Sequence, residues 1–157
     1  MRGSTEQITN KIIMEFAKTI EMFGLTPVEA RLFVYLYLQE TPQTLDDMGE
    51  ALGKSKTSMS TSIRSLSDAN LVTRVWRKGV RKDLYEANNQ LFKTFMNNYV
   101  NRWIEASSHQ KDSLETIQRE LDQNNGENTL EIVNSLNDII DFHKQVETSF
   151  RHLADES

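Results

Sequence analysis

The stretch TLDDMGEALGKSKTSMSTSIRSLSDANLVTRVWRKGVRKDLYEA, residues 44–87, changes hydrophobic period part-way along, and that change decides the fold. Thr44 stands where a helix N-cap belongs, with Asp46 and Asp47 in the first turn, where carboxylates meet the positive end of the helix. Leu45, Met48 and Leu52 follow at helical spacing and Gly53 closes the segment. Ser55 then caps a second helix that reaches to about Asp68. Its apolar residues Met59, Ile63 and Leu66 make one narrow stripe, while Lys56, Thr57, Ser58, Ser60, Thr61, Arg64 and Ser65 make a polar front. After Asn70 the period drops to two. Residues 71–77 are β-branched and aromatic and read as a strand, Lys78-Gly79 supplies a turn, and residues 81–86 return as a second strand. Helix, short turn, helix and hairpin is the order of a winged helix-turn-helix.

Upstream, Thr26-Pro27-Val28-Glu29 is a helix start with a capping box and proline in the first turn. That helix is expected to run to about Gln39 with Ala30, Phe33, Val34, Tyr37 and Leu38 facing inward, until Thr41-Pro42-Gln43 breaks it. Residues 5–23 read as a further helix with Ile8, Ile12, Phe16, Ile20 and Phe23 on one stripe, ended by Gly24. Downstream, a helix from about Asn88 carries Leu91, Phe92, Phe95, Met96, Tyr99, Val100 and Trp103, then Leu114, Ile117 and Leu121. Unbroken, it would be a rod of roughly 35 residues and about 50 Å. Asn124-Asn125-Gly126 is a stop. The last helix, from about Thr129 to Leu153, holds Ile132, Leu136, Ile139, His143, Val146, Phe150 and Leu153 at coiled-coil spacing.

The expected fold class is therefore mainly α with a small β-hairpin. Residues 1–24 form an N-terminal helix, 25–87 the winged helix-turn-helix domain, and 88–157 the C-terminal helices. The first and last of these regions hold more apolar stripe than one small winged domain can cover, which points to pairing with a second copy. Two groove-reading helices about 34 Å apart would then meet successive turns of one duplex face.

The chain is 157 residues long with a net charge of −5, which alone disfavours nucleic acid. The distribution reverses that. Lys54, Lys56, Arg64, Arg74, Arg77, Lys78, Arg81 and Lys82 face only Asp68 between positions 54 and 82, so this segment carries +7 and the remainder −12. Such a segregated charge attracts phosphate at one place and repels it elsewhere. The chain has no cysteine, and its three histidines share no ligand spacing, so neither disulfide, thiolate metal site nor cofactor is expected. No apolar run is long enough for a bilayer and no secretory pattern opens the chain, so a soluble cytoplasmic protein is expected. No phosphate-cradling glycine loop or nucleophile–base pattern is present, so no catalytic residue is assigned and an enzyme is the weakest reading.

Three segments, TPVEARLFVYLYL (26–38), TLDDMGEALGKSKTSMSTSIRSLSDANLVTRVW (44–76) and GVRKDLYEA (79–87), resemble the GbsR-type branch of the MarR superfamily of transcription regulators. Together they cover 55 of the 157 residues, about a third of the chain. The resemblance implies a homodimeric repressor on a pseudo-palindromic operator in double-stranded DNA, acting on genes for uptake or synthesis of osmoprotectants such as choline and glycine betaine. The recognition helix carries over to Lys56, Thr57, Ser58, Ser60, Thr61 and Arg64, with Lys54 and Ser55 at its start. The wing carries over to Arg77, Lys78, Arg81 and Lys82, with Arg74 on the strand leading in. Trp76 is expected to brace the wing against the domain. The alternative is a winged-helix module that binds another protein and no specific DNA, since fold alone does not settle function.

Some members of this branch sense quaternary ammonium compounds, which aromatic faces attract. Tyr99 and Trp103, one helical turn apart, and Tyr37 are the effector candidates. The competing reading is that these rings are core. His143 has two readings as well, a hydrogen-bonded packing residue or a group that makes pairing pH-sensitive.

Overall fold

The computed structural model describes residues 2–123 and 130–156. The Asn124-Asn125-Gly126 stop and Thr129 lie outside the described residues. In order come α1 (Arg2–Glu21), α2 (Pro27–Leu38), α3 (Leu45–Leu52), α4 (Lys56–Asp68), β1 (Val72–Val75), β2 (Leu84–Ala87), α5 (Leu91–Gln123) and α6 (Leu130–Asp155). Contacts divide the chain into one unit running through Phe95 and a second from Met96 onward, the boundary falling inside the continuous α5. No helix among the described residues is long and apolar enough to cross a membrane.

The first unit is built around α2. Thr26 caps it with a complete capping box: its side chain accepts the Glu29 N–H at 3.2 Å, and the Glu29 carboxylate accepts the Thr26 N–H at 2.8 Å. Burial alone would raise the Glu29 carboxyl. Hydrogen bonds from the Ser65 hydroxyl and from Thr26 outweigh it and hold the group below its ordinary value. Ala30, Leu32, Phe33 and Val34 are fully buried and Leu36 nearly so, because α2 touches α1, α3, α4 and β2 at once. The expected single stripe is corrected on this point. Leu32 and Leu36 are in the core, and Tyr37 sits at the rim, with its ring 6.4 Å from Phe16 and 6.3 Å from Phe33. A helix enclosed from several sides has no single buried stripe.

The other elements arrive as expected, with shifted edges. In α1, Ala17 and Ile20 are buried, while Ile8 and Ile12 of the same stripe are exposed. In α4, Met59, Ile63 and Leu66 are buried together with Ser62. The hairpin ladder is shorter than predicted and pairs Val72 with Ala87, Thr73 with Glu86, Arg74 with Tyr85 and Val75 with Leu84. Gln43, read only as part of a helix break, forms an extra bridge to the second strand. Its N–H donates to the Tyr85 carbonyl at 2.8 Å and its carbonyl accepts from Tyr85 at 2.9 Å. Its side-chain oxygen accepts the Tyr35 hydroxyl at 2.9 Å.

In the second unit α6 returns along α5. Phe150 stacks on Trp103 with ring centroids 5.3 Å apart and meets Tyr99 edge-on at 6.0 Å. Asn137 bonds Gln118, and Glu147 takes the Lys111 ammonium at 3.1 Å and the Arg151 guanidinium at 2.9 Å. Leu136 and Ile140 are the buried apolar residues of α6, while Ile132, Ile139 and Leu153 of the predicted seam are exposed. The face against α5 is rotated relative to that seam. His143 is half-buried and its Nδ1 lies 2.8 Å from the Ile139 carbonyl, one turn back.

Phe33→Ala empties the centre of the first unit, and the unfolding free energy in urea is expected to fall by about 3–5 kcal/mol. A second expectation concerns acid. Hydrogen bonds from Arg151 and then Lys111 hold the Glu147 carboxyl below its ordinary 4.5. The stabilisation is complete above the unfolded value and disappears as pH falls through the lower folded one. Glu147→Gln should therefore flatten the loss of the urea midpoint below the ordinary carboxylate range while lowering the midpoint near neutrality.

Candidate nucleic-acid interface

The groove-sized helix is α4, and its local chemistry sets how it is presented. The Ser55 hydroxyl caps it by accepting the Ser58 N–H at 3.1 Å. The turn before it is tight. The Lys54 N–H donates to the Gly49 carbonyl at 2.9 Å, and a Cβ on Gly49 would lie 2.7 Å from the Lys54 carbonyl oxygen. Only glycine allows that approach, which brings α3 and α4 to their helix-turn-helix spacing. Thr44 caps α3 through a capping box completed by Asp47, a role beyond the simple helix-start charge expected of it.

With Met59, Ile63 and Leu66 buried behind it, α4 turns Lys56, Thr57, Thr61 and Arg64 fully to solvent, with Ser58 and Ser60 half-buried at the flanks. The Thr61 hydroxyl donates to the Thr57 carbonyl at 3.1 Å, which leaves its acceptor lone pairs directed outward. Lys54 and Ser55 are exposed at the helix start.

Beyond Val75 and before Leu84 the wing leaves its ladder, so residues 76–83 form a loop with the expected turn at Lys78-Gly79. Gly79 has a φ of 83°, and the Val80 N–H donates to the Arg77 carbonyl at 3.2 Å. Arg77, Lys78 and Arg81 are exposed. The bracing role expected of Trp76 is corrected: it is 82% exposed. It lies one residue past the last ladder pair, on the same side of the strand as exposed Arg74.

Two of the predicted cations are already engaged. Arg74 forms an ion pair with Asp83, and the Lys82 ammonium bonds the Asp46 carboxylate at 2.9 Å. That bond, followed by the Lys56 charge, lowers the Asp46 carboxyl, and the same bond raises the Lys82 ammonium. Neither acid was assigned a role at the interface from the sequence. Asp83 was legible in principle, because it sits across the hairpin from Arg74. Asp46 was not, because it stands 36 positions from Lys82. Lys54, Lys56, Arg64, Arg77, Lys78 and Arg81 take part in no ion pair among the described residues. The start of α4 and the wing base meet at a cleft of about 250 Å³ lined by Thr44, Asp46, Lys56, Arg81, Lys82 and Asp83. No group of side chains among the described residues is arranged to hold a metal ion.

Comparison with known proteins bears directly on this arrangement. The model of the MarR family matches residues 23–81, the span from the end of α1 into the wing. The transcriptional repressor OpcR of Bacillus subtilis is 34% identical over 116 residues, 74% of this chain and 63% of that protein. The chain belongs to the MarR family. The repressor GbsR of the same organism is 34% identical over 101 residues, 64% of this chain and 56% of that protein, which supports the GbsR-type branch. The chain thus spans less than two thirds of the length of these relatives. A crystal structure of a transcriptional regulator matches with a TM-score of 0.60 at 17% identity, covering 94% of this chain and 98% of that one, and so agrees in fold. These MarR relatives are named as regulators and not as enzymes.

The effector candidates fall in two places. Tyr99 and Trp103 meet at 6.4 Å in the second unit, where Phe150 joins them. Tyr37 belongs to the first unit, against Phe16 and Phe33.

Gly49→Ala is expected to lower stability by about 1–3 kcal/mol in urea melts, because the backbone carbonyl it meets cannot turn aside. Glu50→Ala, exposed one residue on, should stay within about 0.5 kcal/mol of the parent.

Proposed function

We propose that this chain is a sequence-specific DNA-binding transcription regulator of the cytoplasm, which represses as a homodimer on a pseudo-palindromic operator. The observation that carries the reading is the two-sided character of α4. Its apolar residues are spent on the core, while Lys56, Thr57, Thr61 and Arg64 are exposed, Lys56 and Arg64 in no ion pair among the described residues and Lys56 sharing a cleft with Arg81 of the wing. A B-form major groove admits one α-helix. Lys56, Thr57, Ser58, Ser60, Thr61 and Arg64 would face base edges and the near phosphates, with Lys54 and Ser55 at the phosphate by the helix start. Arg77, Lys78 and Arg81 would hold the flanking backbone. Arg74 and Lys82 would shape the wing through Asp83 and Asp46 as much as touch DNA.

The homodimer is supported by apolar side chains that one chain leaves uncovered in both terminal regions. Ile8, Ile12 and Met14 are exposed on α1, as are Ile132, Ile139, Phe142 and Leu153 on α6. The GbsR-type branch points to osmoprotectant genes as the regulated class. Where a quaternary ammonium effector acts, we place it at Tyr99 and Trp103. Trp103 already has one face on Phe150, so a cation would use the other. Tyr37 would belong to a separate contact.

Fluorescence anisotropy with operator and scrambled duplexes tests the reading, with sedimentation giving chains per duplex. Two chains per operator and an affinity that falls steeply with salt are expected. Arg81→Ala should weaken both duplexes alike and reduce the salt slope by about one, whereas Ser58→Ala or Thr61→Ala should change the preference between them. Absence of duplex binding in dilute buffer would overturn the proposal.

A further inference from the structure

Trp76 is the least explained side chain in the first unit. It is 82% exposed, and Val80 across the loop is 42% exposed, so the wing carries a small apolar face. A concavity of about 390 Å³ holds both, its charged lining made of Arg74, Arg77, Arg81, Lys82 and Asp83. An indole kept in water is not there for stability, since its burial is worth more than that of almost any other side chain. Nor does the surrounding charge suit another apolar protein surface. Arg77, Lys78 and Arg81 of the same loop are exposed and in no ion pair among the described residues, while Arg74 is paired with Asp83 and Lys82 with Asp46. A second copy of the same wing would bring like charges together. The surface that matches an apolar ring beside cations is one whose apolar faces alternate with anions. The sugar–phosphate wall of a DNA groove has that pattern, with deoxyribose faces between phosphates.

We propose that Trp76 is a DNA-contacting residue of the wing, laying its indole against deoxyribose while the neighbouring cations take the phosphates. The inference rests on the regulator reading above and assigns it a non-ionic contact. Pairing ends at Val75 and Leu84, so Trp76 stands on the unpaired loop of the wing. The contact displaces water from an apolar ring and releases no counterion. It therefore adds affinity at every salt concentration, where the arginines add affinity that salt removes.

The full chain labelled with 5-fluorotryptophan gives two fluorine resonances, for Trp76 and Trp103, and Trp76→Phe identifies the first. Saturation with operator duplex should move the Trp76 resonance and reduce its solvent isotope shift. Trp76→Ala should lower duplex affinity about tenfold, or about 1.4 kcal/mol, with the slope of log K against log salt unchanged. Trp76→Phe should restore most of the loss. Arg77→Ala should instead reduce the slope by about one. The inference is overturned if the duplex saturates while the Trp76 resonance and its isotope shift stay put, or if Trp76→Ala binds like the parent. It is overturned equally if the resonance responds to vesicles of anionic lipid and not to duplex. Failure of the parent chain to bind any duplex removes the regulator reading itself, so the two failures are distinct.

Discussion

Helix α2 keeps almost no side chain in water through its middle turns, and the rest of the first unit follows from that. Ala30, Leu32, Phe33 and Val34 are closed off by α1 on one side and by α3, α4 and the second strand on others. Removing one large ring from such a centre leaves a void that the surrounding backbone fills only partly. Because α4 rests on this post through Met59, Ile63 and Leu66, the orientation of its polar front is set by packing behind it. Recognition is then a consequence of core geometry: the polar residues face outward because the apolar ones have no other place to go.

Charge is organised at a finer scale than net values suggest. The positive segment is not a uniform field. Asp46 and Asp83 pair with Lys82 and Arg74 at the wing base, and Asp46 also bears on Lys56 at the start of α4. Exposed ion pairs of this kind contribute little to stability. Their effect here is spatial, since they leave Arg77, Lys78 and Arg81 as the cations of the wing loop without an ion pair among the described residues.

Much of this was legible in the residues themselves. Caps at Thr26, Thr44 and Ser55 and the narrow stripe of α4 depend on neighbours three or four positions away, and such local rules survive folding. The unread features are non-local. Leu36 lies inside and Tyr37 at the rim because α2 is packed on several sides, which a single-stripe reading cannot represent. The face of α6 against α5 includes Ile140 and not Ile139, a rotation that spacing along one helix does not fix. Trp76 was misplaced because its aromatic ring suggested burial, whereas it lies on the same side of the strand as exposed Arg74. Gln43 gave no signal, since its partner Tyr85 lies far along the chain and the backbone bridge between them needs no particular side chain.

That bridge at Gln43 has a mechanical consequence. It stitches the root of the wing to the segment joining α2 and α3, with Tyr35 clasping its side chain. A swing of the whole hairpin would have to rupture those bonds, whereas a bend within residues 76–83 would rupture no rungs. If the wing meets DNA as proposed, accommodation to groove walls of unequal width falls to the fingertip, and the knuckle stays still.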